Sequence, residues 1–217
     1  MAVFAGIDEA GRGPVMGPLV VAGVAVEDPD LPARLGCTDS KRLTPDRRRA
    51  IDRALRAQAG VRIAVRVVEA EVLDAERREG RTLNAIEVQR FQEIARELGP
   101  TALWLDAADV DARRFGAAVG AAVPGAAVVS EHKADLTYPV VGAASIVAKV
   151  ARDAAIDELA RRVERKLGME LGSGYPSDPV TVAFLAAWRD RFGDLPPGTR
   201  TTWATAKELL GPRQQRL

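Results

Sequence analysis

The chain has 217 residues, 47% of them hydrophobic. This suits one large domain, or a core with a small appended subdomain, and excludes global disorder. A formal charge of only +1 excludes a global basic field, so any nucleic-acid site must come from local patches. One cysteine and one histidine exclude a disulfide framework, cysteine zinc sites, zinc sites needing two histidines, and the paired-histidine chemistry of metal-free ribonucleases.

Val3 to Asp8 reads as a short buried strand ending in an acid. A turn-rich connection follows, with Gly11, Gly13, Pro14, Gly17 and Pro18. Leu19 to Val26 is a second strand, close enough to pair with the first as a hairpin. The longest uncharged apolar stretch, Pro14 to Val26, is too short for a membrane helix and is broken by glycines and a proline. Met1 to Ala5 shows no charged or apolar leader, and a cytoplasmic protein is expected. Thr44-Pro45-Asp46 starts a helix that runs to about Gln58. Val61 to Val68 alternates as a third strand. A helix covers about Leu83 to Leu98, a fourth strand Thr101 to Asp106, and a fifth Ala126 to Ser130. A long helix runs from about Gly142 to Leu167. Two helices follow a loop at Gly172 to Pro179, near Val180 to Arg191 and Thr202 to Leu210. The order predicts an α/β fold, a mixed sheet flanked by helices, with a core over 1–167 and a helical C-terminal extension over 168–217.

Two strands end in acids: Asp8-Glu9 and Asp106. Strands that lie side by side would bring Asp8 and Asp106 to one sheet edge. Asp-Glu after an apolar strand also occurs in P-loop proteins, but that reading needs a Gly-Lys dipeptide, and the sequence has none. Asp106 alone could equally start a turn. Ser145, Lys149 and Asp153 fall four residues apart on the long helix, as one polar stripe or as a plain surface Lys–Asp pair. Four carboxylates on separated segments suit two hard divalent ions and in-line hydrolysis of a phosphodiester, with no histidine base. The basic runs Arg47-Arg48-Arg49 and Arg161, Arg162, Arg165, Lys166 read first as solvated helix faces. His132 reads as a loop hydrogen-bonding residue and Cys37 as an incidental thiol.

The blocks Gly6-Ile-Asp-Glu-Ala-Gly-Arg-Gly-Pro-Val-Met-Gly-Pro18 and Asp39-Ser-Lys-Arg-Leu43 carry a resemblance. So do Thr82-Leu-Asn-Ala85, His132-Lys-Ala-Asp135, the stretch from Ala143 to Asp153, and Gly172-Ser-Gly-Tyr-Pro-Ser-Asp178. In this order they resemble the type 2 ribonucleases H, or ribonuclease HII family, and within it the archaeal branch. The resemblance implies a ribonuclease H-like mixed sheet with a helical C-terminal part. It implies that Asp8, Glu9, Asp106 and Asp153 bind Mn²⁺ or Mg²⁺ and catalyse. It implies that Gly11, Arg12 and Gly13 sense a 2′-hydroxyl and that Tyr175 stacks on the neighbouring sugar. Lys41, Ser145 and Lys149 would contact phosphate. The implied partners are RNA–DNA hybrids and duplex DNA containing ribonucleotides, met by a monomer and cut to leave 5′-phosphate and 3′-hydroxyl ends.

The end of the chain departs from that pattern. Arg200-Thr-Thr-Trp-Ala-Thr205 keeps Arg200 and Trp203 but lacks a second arginine and a lysine, which puts some C-terminal DNA contacts in doubt. The tail Gly211 to Leu217 lacks the aromatic pair that docks on a sliding clamp, so no clamp binding is expected there. The rivals are a resolvase-like nuclease of the same fold, which would cut DNA junctions without ribose, and a non-catalytic hybrid-binding module, which would not need all the acids.

Overall fold

The computed structural model describes residues 2–214, and the side chains of residues 2–211. Its five-stranded sheet has the order β3-β2-β1-β4-β5. β1 (Phe4–Ala10) pairs antiparallel with β2 (Leu19–Val26), as a hairpin requires, and parallel with β4 (Ala102–Asp106). β5 (Ala127–Glu131) adds in parallel to β4, and β3 (Val61–Val68) forms the other edge. Every residue of β2 is buried, which is why it reads as an unbroken apolar run: helices cover both faces of the sheet there.

The helices are α1 (Leu31–Arg34), α2 (Pro45–Arg56), α3 (Ala70–Arg78), α4 (Leu83–Leu98), α5 (Ala112–Gly120), α6 (Ala134–Thr137), α7 (Pro139–Leu167), α8 (Pro179–Phe192) and α9 (Ala204–Gln214). The expected bounds of β2, β3 and α4 are met without a shift. The start signal of α2 is real: Thr44 accepts a hydrogen bond from the Arg47 N–H at 3.3 Å. The sequence patterns assign no element to the stretches carrying α1, α3 and α6.

The chain divides into two compact units. The first comprises Met1–Ala10, Val20–Val67 and Thr82–Ala151 and holds the sheet. Val20, Ala22, Val24 and Val26 pack with α2 and α7 on one face, while Val21 and Ala25 pack with α4 and α5 on the other. Period-two alternation sets these faces. Two glycines admit the helices closely. A Cβ on Gly6 would lie 2.5 Å from the Val140 carbonyl of α7, and one on Gly23 would strike the Ile94 side chain of α4.

The second unit comprises Gly11–Leu19, Val68–Arg81 and Arg152–Leu217. Its core joins Val15 and Met16 to Ile156, Leu159, Phe184, Leu185 and Trp188. The β1–β2 connection therefore belongs to the core of the largely helical unit. Among the described residues, no helix is long and apolar enough to cross a membrane.

Candidate active site

On β1, Phe4 faces the α7 side of the sheet while Ala5 and Ile7 face α4. The alternation places Asp8 on the α7 side. On β4, Trp104 packs toward α7, and two residues later Asp106 shares that face. Ile7 pairs with Leu105, so Asp8 and Asp106 are the next residues on two neighbouring parallel strands.

A third acid completes the group. After β5, Lys133 takes a left-handed conformation, φ 60°, the only positive φ outside glycine among the described residues. That turn starts α6 against the strand end: the Ala134 N–H donates to Asp106 Oδ1 at 3.1 Å. Asp135, in the first turn of α6, is then buried beside it. Asp8, Asp106 and Asp135 offer ligand atoms that all lie within 4.8 Å of one another.

Three carboxylates at this spacing repel each other. Burial raises Asp8 well above its ordinary pKa, and the charges of Glu9 and Asp106 add to the rise. Hydrogen bonds from the Ser145 hydroxyl and the Glu9 N–H, the latter at 2.7 Å, oppose it. Burial also raises Asp106 and Asp135, and the positive charge of Lys41 pulls both back. An all-oxygen donor set of buried and half-buried acids fits a hard divalent cation such as Mg²⁺ or Mn²⁺.

Lys41 reaches this site from a single 3₁₀ turn, Ser40–Arg42, which Asp39 caps by accepting from the Lys41 N–H at 2.9 Å. Arg48 braces the turn. It is buried and donates to the carbonyls of Ser40 (2.9 Å) and Leu43 (2.7 Å), while Arg47 and Arg49 face solvent. The Arg47–Arg49 run is therefore not a uniform solvated face. Ser145 is also inside. Its Oγ lies 2.9 Å from that of Ser40, and it bonds Asp8. Lys149 is half-buried on the same helix.

The residues expected to read the sugar lie together in the second unit. Gly11 needs to be glycine on two counts: its φ is +88°, and a Cβ would sit 2.6 Å from the Pro18 carbonyl oxygen. Gly13 is open, and a Cβ there would lie 3.7 Å from the Tyr175 ring. Its missing side chain leaves room in front of that ring. The Tyr175 ring is 37% exposed and rests against the Arg152 guanidinium, 5.3 Å from the ring centroid. Arg152 also donates to the Ser173 carbonyl at 2.9 Å. Asp178 fixes the loop by accepting from the Ser173 N–H and hydroxyl, both at 2.7 Å, and these bonds hold its carboxyl down at about 2.

Asp153 is not among the three clustered acids. It belongs to the second unit, with Oδ1 3.7 Å from Arg152 Nη1. Asp135 and Arg152 are the residues that sequence reasoning passed over, although each lies inside a quoted block. His132 is exposed, with Nε2 3.3 Å from the Val110 carbonyl, a loop contact as expected. Burial pushes the Cys37 thiol up to about 12, so it stays protonated.

A mixed sheet with acids at the ends of adjacent parallel strands, covered by a long helix, defines a nuclease of the ribonuclease H type. Comparison with known proteins narrows this. The family model described as ribonuclease HII matches residues 5–206. Ribonuclease HII of Methanocella arvoryzae is 42% identical over 208 residues, spanning 94% of this chain and 90% of that protein. Its counterpart in Thermococcus kodakarensis is 44% identical over 211 residues, spanning 95% and 89%. The crystal structure of ribonuclease H2 from Pyrococcus horikoshii superposes with a TM-score of 0.86 at 37% identity, covering 99% of this chain and 100% of that one. Ribonuclease HII from Archaeoglobus fulgidus, solved in complex with PCNA, gives 0.84 at 41% identity and the same coverage. The chain belongs to the ribonuclease HII family. The expectation of no clamp docking falls on residues 211–217, whose side chains from 212 onward lie outside the described residues.

Proposed function

We propose that this protein hydrolyses the RNA strand of RNA–DNA hybrids and cuts on the 5′ side of ribonucleotides embedded in duplex DNA. The observation that carries the reading is the close group of Asp8, Asp106 and Asp135, the first and last of them buried, at the sheet edge. With Glu9, next to Asp8 on β1, these acids would hold two Mg²⁺ or Mn²⁺ ions, Asp135 taking the place first expected of Asp153. When bound, such ions stabilise charge on the reacting phosphate oxygens and make water nucleophilic at neutral pH.

The chain's own groups do the rest. Ser145 is too buried to meet a phosphate, and we assign it to orienting Asp8 through its hydroxyl. Lys41 and Lys149 are assigned to the substrate phosphates. Gly11, Arg12 and Gly13, one residue past Glu9 in the chain, are assigned to the sugar through their backbone. A 2′-hydroxyl is both donor and acceptor and is what distinguishes RNA from DNA at one position. Tyr175 offers its exposed ring to the adjoining sugar. Water is the nucleophile, so the products carry 5′-phosphate and 3′-hydroxyl ends.

The test is cleavage of an end-labelled hybrid, and of a duplex with one ribonucleotide, in Mg²⁺, in Mn²⁺ and in EDTA. Cutting of both substrates with either ion and none in EDTA is expected. Cutting of all-DNA duplex or of a four-way DNA junction, or a 2′,3′-cyclic phosphate product, would contradict the reading.

A further inference from the structure

Arg200 lies at the start of the segment whose departures from the family pattern put its DNA contacts in doubt. Its side chain is fully buried, 0% exposed, and no nucleic acid can reach it. It is spent entirely on the loop that carries Gly11, Arg12 and Gly13. Its Nη2 donates to the Gly11 carbonyl at 2.6 Å, its Nη1 to the Arg12 carbonyl at 3.1 Å, and its Nε to the Gly17 carbonyl at 2.9 Å. The Arg200 backbone N–H donates to the Val15 carbonyl at 2.8 Å, and Met16 bridges to Thr199. One planar fork thus fixes three carbonyls of a seven-residue segment, a task its rigid donor geometry suits and a lysine ammonium cannot repeat.

The guanidinium is itself held from behind. It packs 4.9 Å from the centroid of the Trp203 ring, and Arg77 of α3 packs at 5.3 Å from the same ring. Asp74 of α3 accepts from the N–H and hydroxyl of both Thr201 and Thr202 at 2.6–3.0 Å, pinning the two residues that follow Arg200. Burying a guanidinium with no carboxylate in contact is unfavourable unless its donors are met. Here backbone carbonyls meet them. Burial pushes Arg200 down to about 10, so it remains charged at neutral pH.

We propose that Arg200 is a positioning residue for ribose discrimination. By holding the carbonyls of Gly11, Arg12 and Gly17 it sets the loop's shape before substrate arrives. The surviving Arg–Trp pair of the C-terminal segment then serves the sugar-reading loop and not DNA contact. The proposal rests on the reading that residues 11–13 sense the 2′-hydroxyl.

The experiment compares wild type with Arg200→Lys and Arg200→Gln on duplexes carrying one ribonucleotide, and on the same duplexes with 2′-fluoro in place of the 2′-hydroxyl. Mn²⁺ affinity and melting temperature are measured alongside. The expected result is a kcat loss of about 10²-fold on the ribonucleotide, the scale of a misplaced reacting group. KM and Mn²⁺ affinity should each change by less than about 3-fold, and preference for hydroxyl over fluoro should shrink by at least 10-fold, well within the discrimination a hydroxyl-binding site can provide. Hydrogen exchange of the amides at 11–17 should speed up in both variants without substrate. Retained preference, unchanged exchange at 11–17, or losses that track Mn²⁺ affinity or unfolding would overturn the proposal. A wild type that cuts neither substrate would count against the functional reading, while exchange at 11–17 would still decide the positioning role.

Discussion

The acid cluster of the first unit and the loop network of the second handle buried charge in opposite ways. In the first, Asp8, Asp106 and Asp135 crowd together; burial raises all three carboxyls, and nearby acids add to the rise, Glu9 and Asp106 at Asp8, Asp135 at Asp106 and Asp39 at Asp135. In the second, Asp74, Asp178 and Arg200 each have their counterparts built in. Asp74 accepts four hydrogen bonds from two threonines, Asp178 is held down by Ser173 and Val180, and Arg200 donates to three carbonyls. The contrast separates two tasks. A cation-binding site must keep its charge in excess so that a cation stabilises it. A recognition loop must be complete in advance, since order acquired on binding weakens discrimination.

The largest test of this contrast is at the acids. Asp8→Asn and Asp135→Asn should each lower kcat by about 10³-fold or more, the scale of losing a main stabiliser of transition-state charge, with the fold retained by circular dichroism. Asp153→Asn should lose less than about 10-fold, since its carboxylate pairs with Arg152. Equal losses at Asp135 and Asp153 would break the assignment of the fourth acid. Next comes Asp74→Ala in the second unit. It removes a buried acceptor from four donors and should lower stability by about 3 kcal/mol in thermal or urea unfolding. Mn²⁺ affinity per folded molecule should be unchanged.

Tyr175→Ala should weaken cleavage at a single ribonucleotide by roughly 10-fold, the scale of one stacking contact, and long hybrids less, because they offer many registers. Equal losses would show that the ring supports the loop and does not read the junction. The smallest expected effect is a difference in pH response. Asp178 titrates at about 2 when folded, below its ordinary value of 3.8. Its contribution is therefore present above about 4 and is lost as pH falls toward 2. Asp8 is raised, so in metal-free protein its ionisation works against folding as pH rises above 3.8. Asp8→Asn should therefore raise the metal-free melting temperature near pH 7 and not near pH 3, whereas Asp178→Asn should lower it at pH 7 with the gap closing on acidification.

Much of the first unit was legible because regular strands advertise themselves. An apolar run ending in an acid gives both the strand and the position of Asp8 and Asp106. Period-two alternation then puts the two on one face. Asp135 had no such signal: it sits in a four-residue helix behind a left-handed lysine, too short for any periodicity. The Ser145–Lys149–Asp153 stripe does not by itself place an acid at the cluster. It spans about 12 Å along the helix axis, while cation ligands lie within ~2.6 Å of the ion. Bringing Ser145 to Asp8 therefore gives no reason to bring Asp153. In the second unit the partners of Arg200 lie more than 180 residues away in sequence, and nothing local marks an arginine as buried. The helix carrying Asp74 went unread because it is short and strongly charged, with its apolar side limited to a few residues.

Hydrogen exchange with and without Mn²⁺ tests the contrast most directly. Protection should rise at the ends of β1 and β4 and across α6, where added cation relieves the repulsion. It should stay unchanged at 171–178, where Arg152, Asp178 and Thr181 already hold the loop. Protection that rose equally at 171–178, or failed to rise around Asp135, would contradict the account.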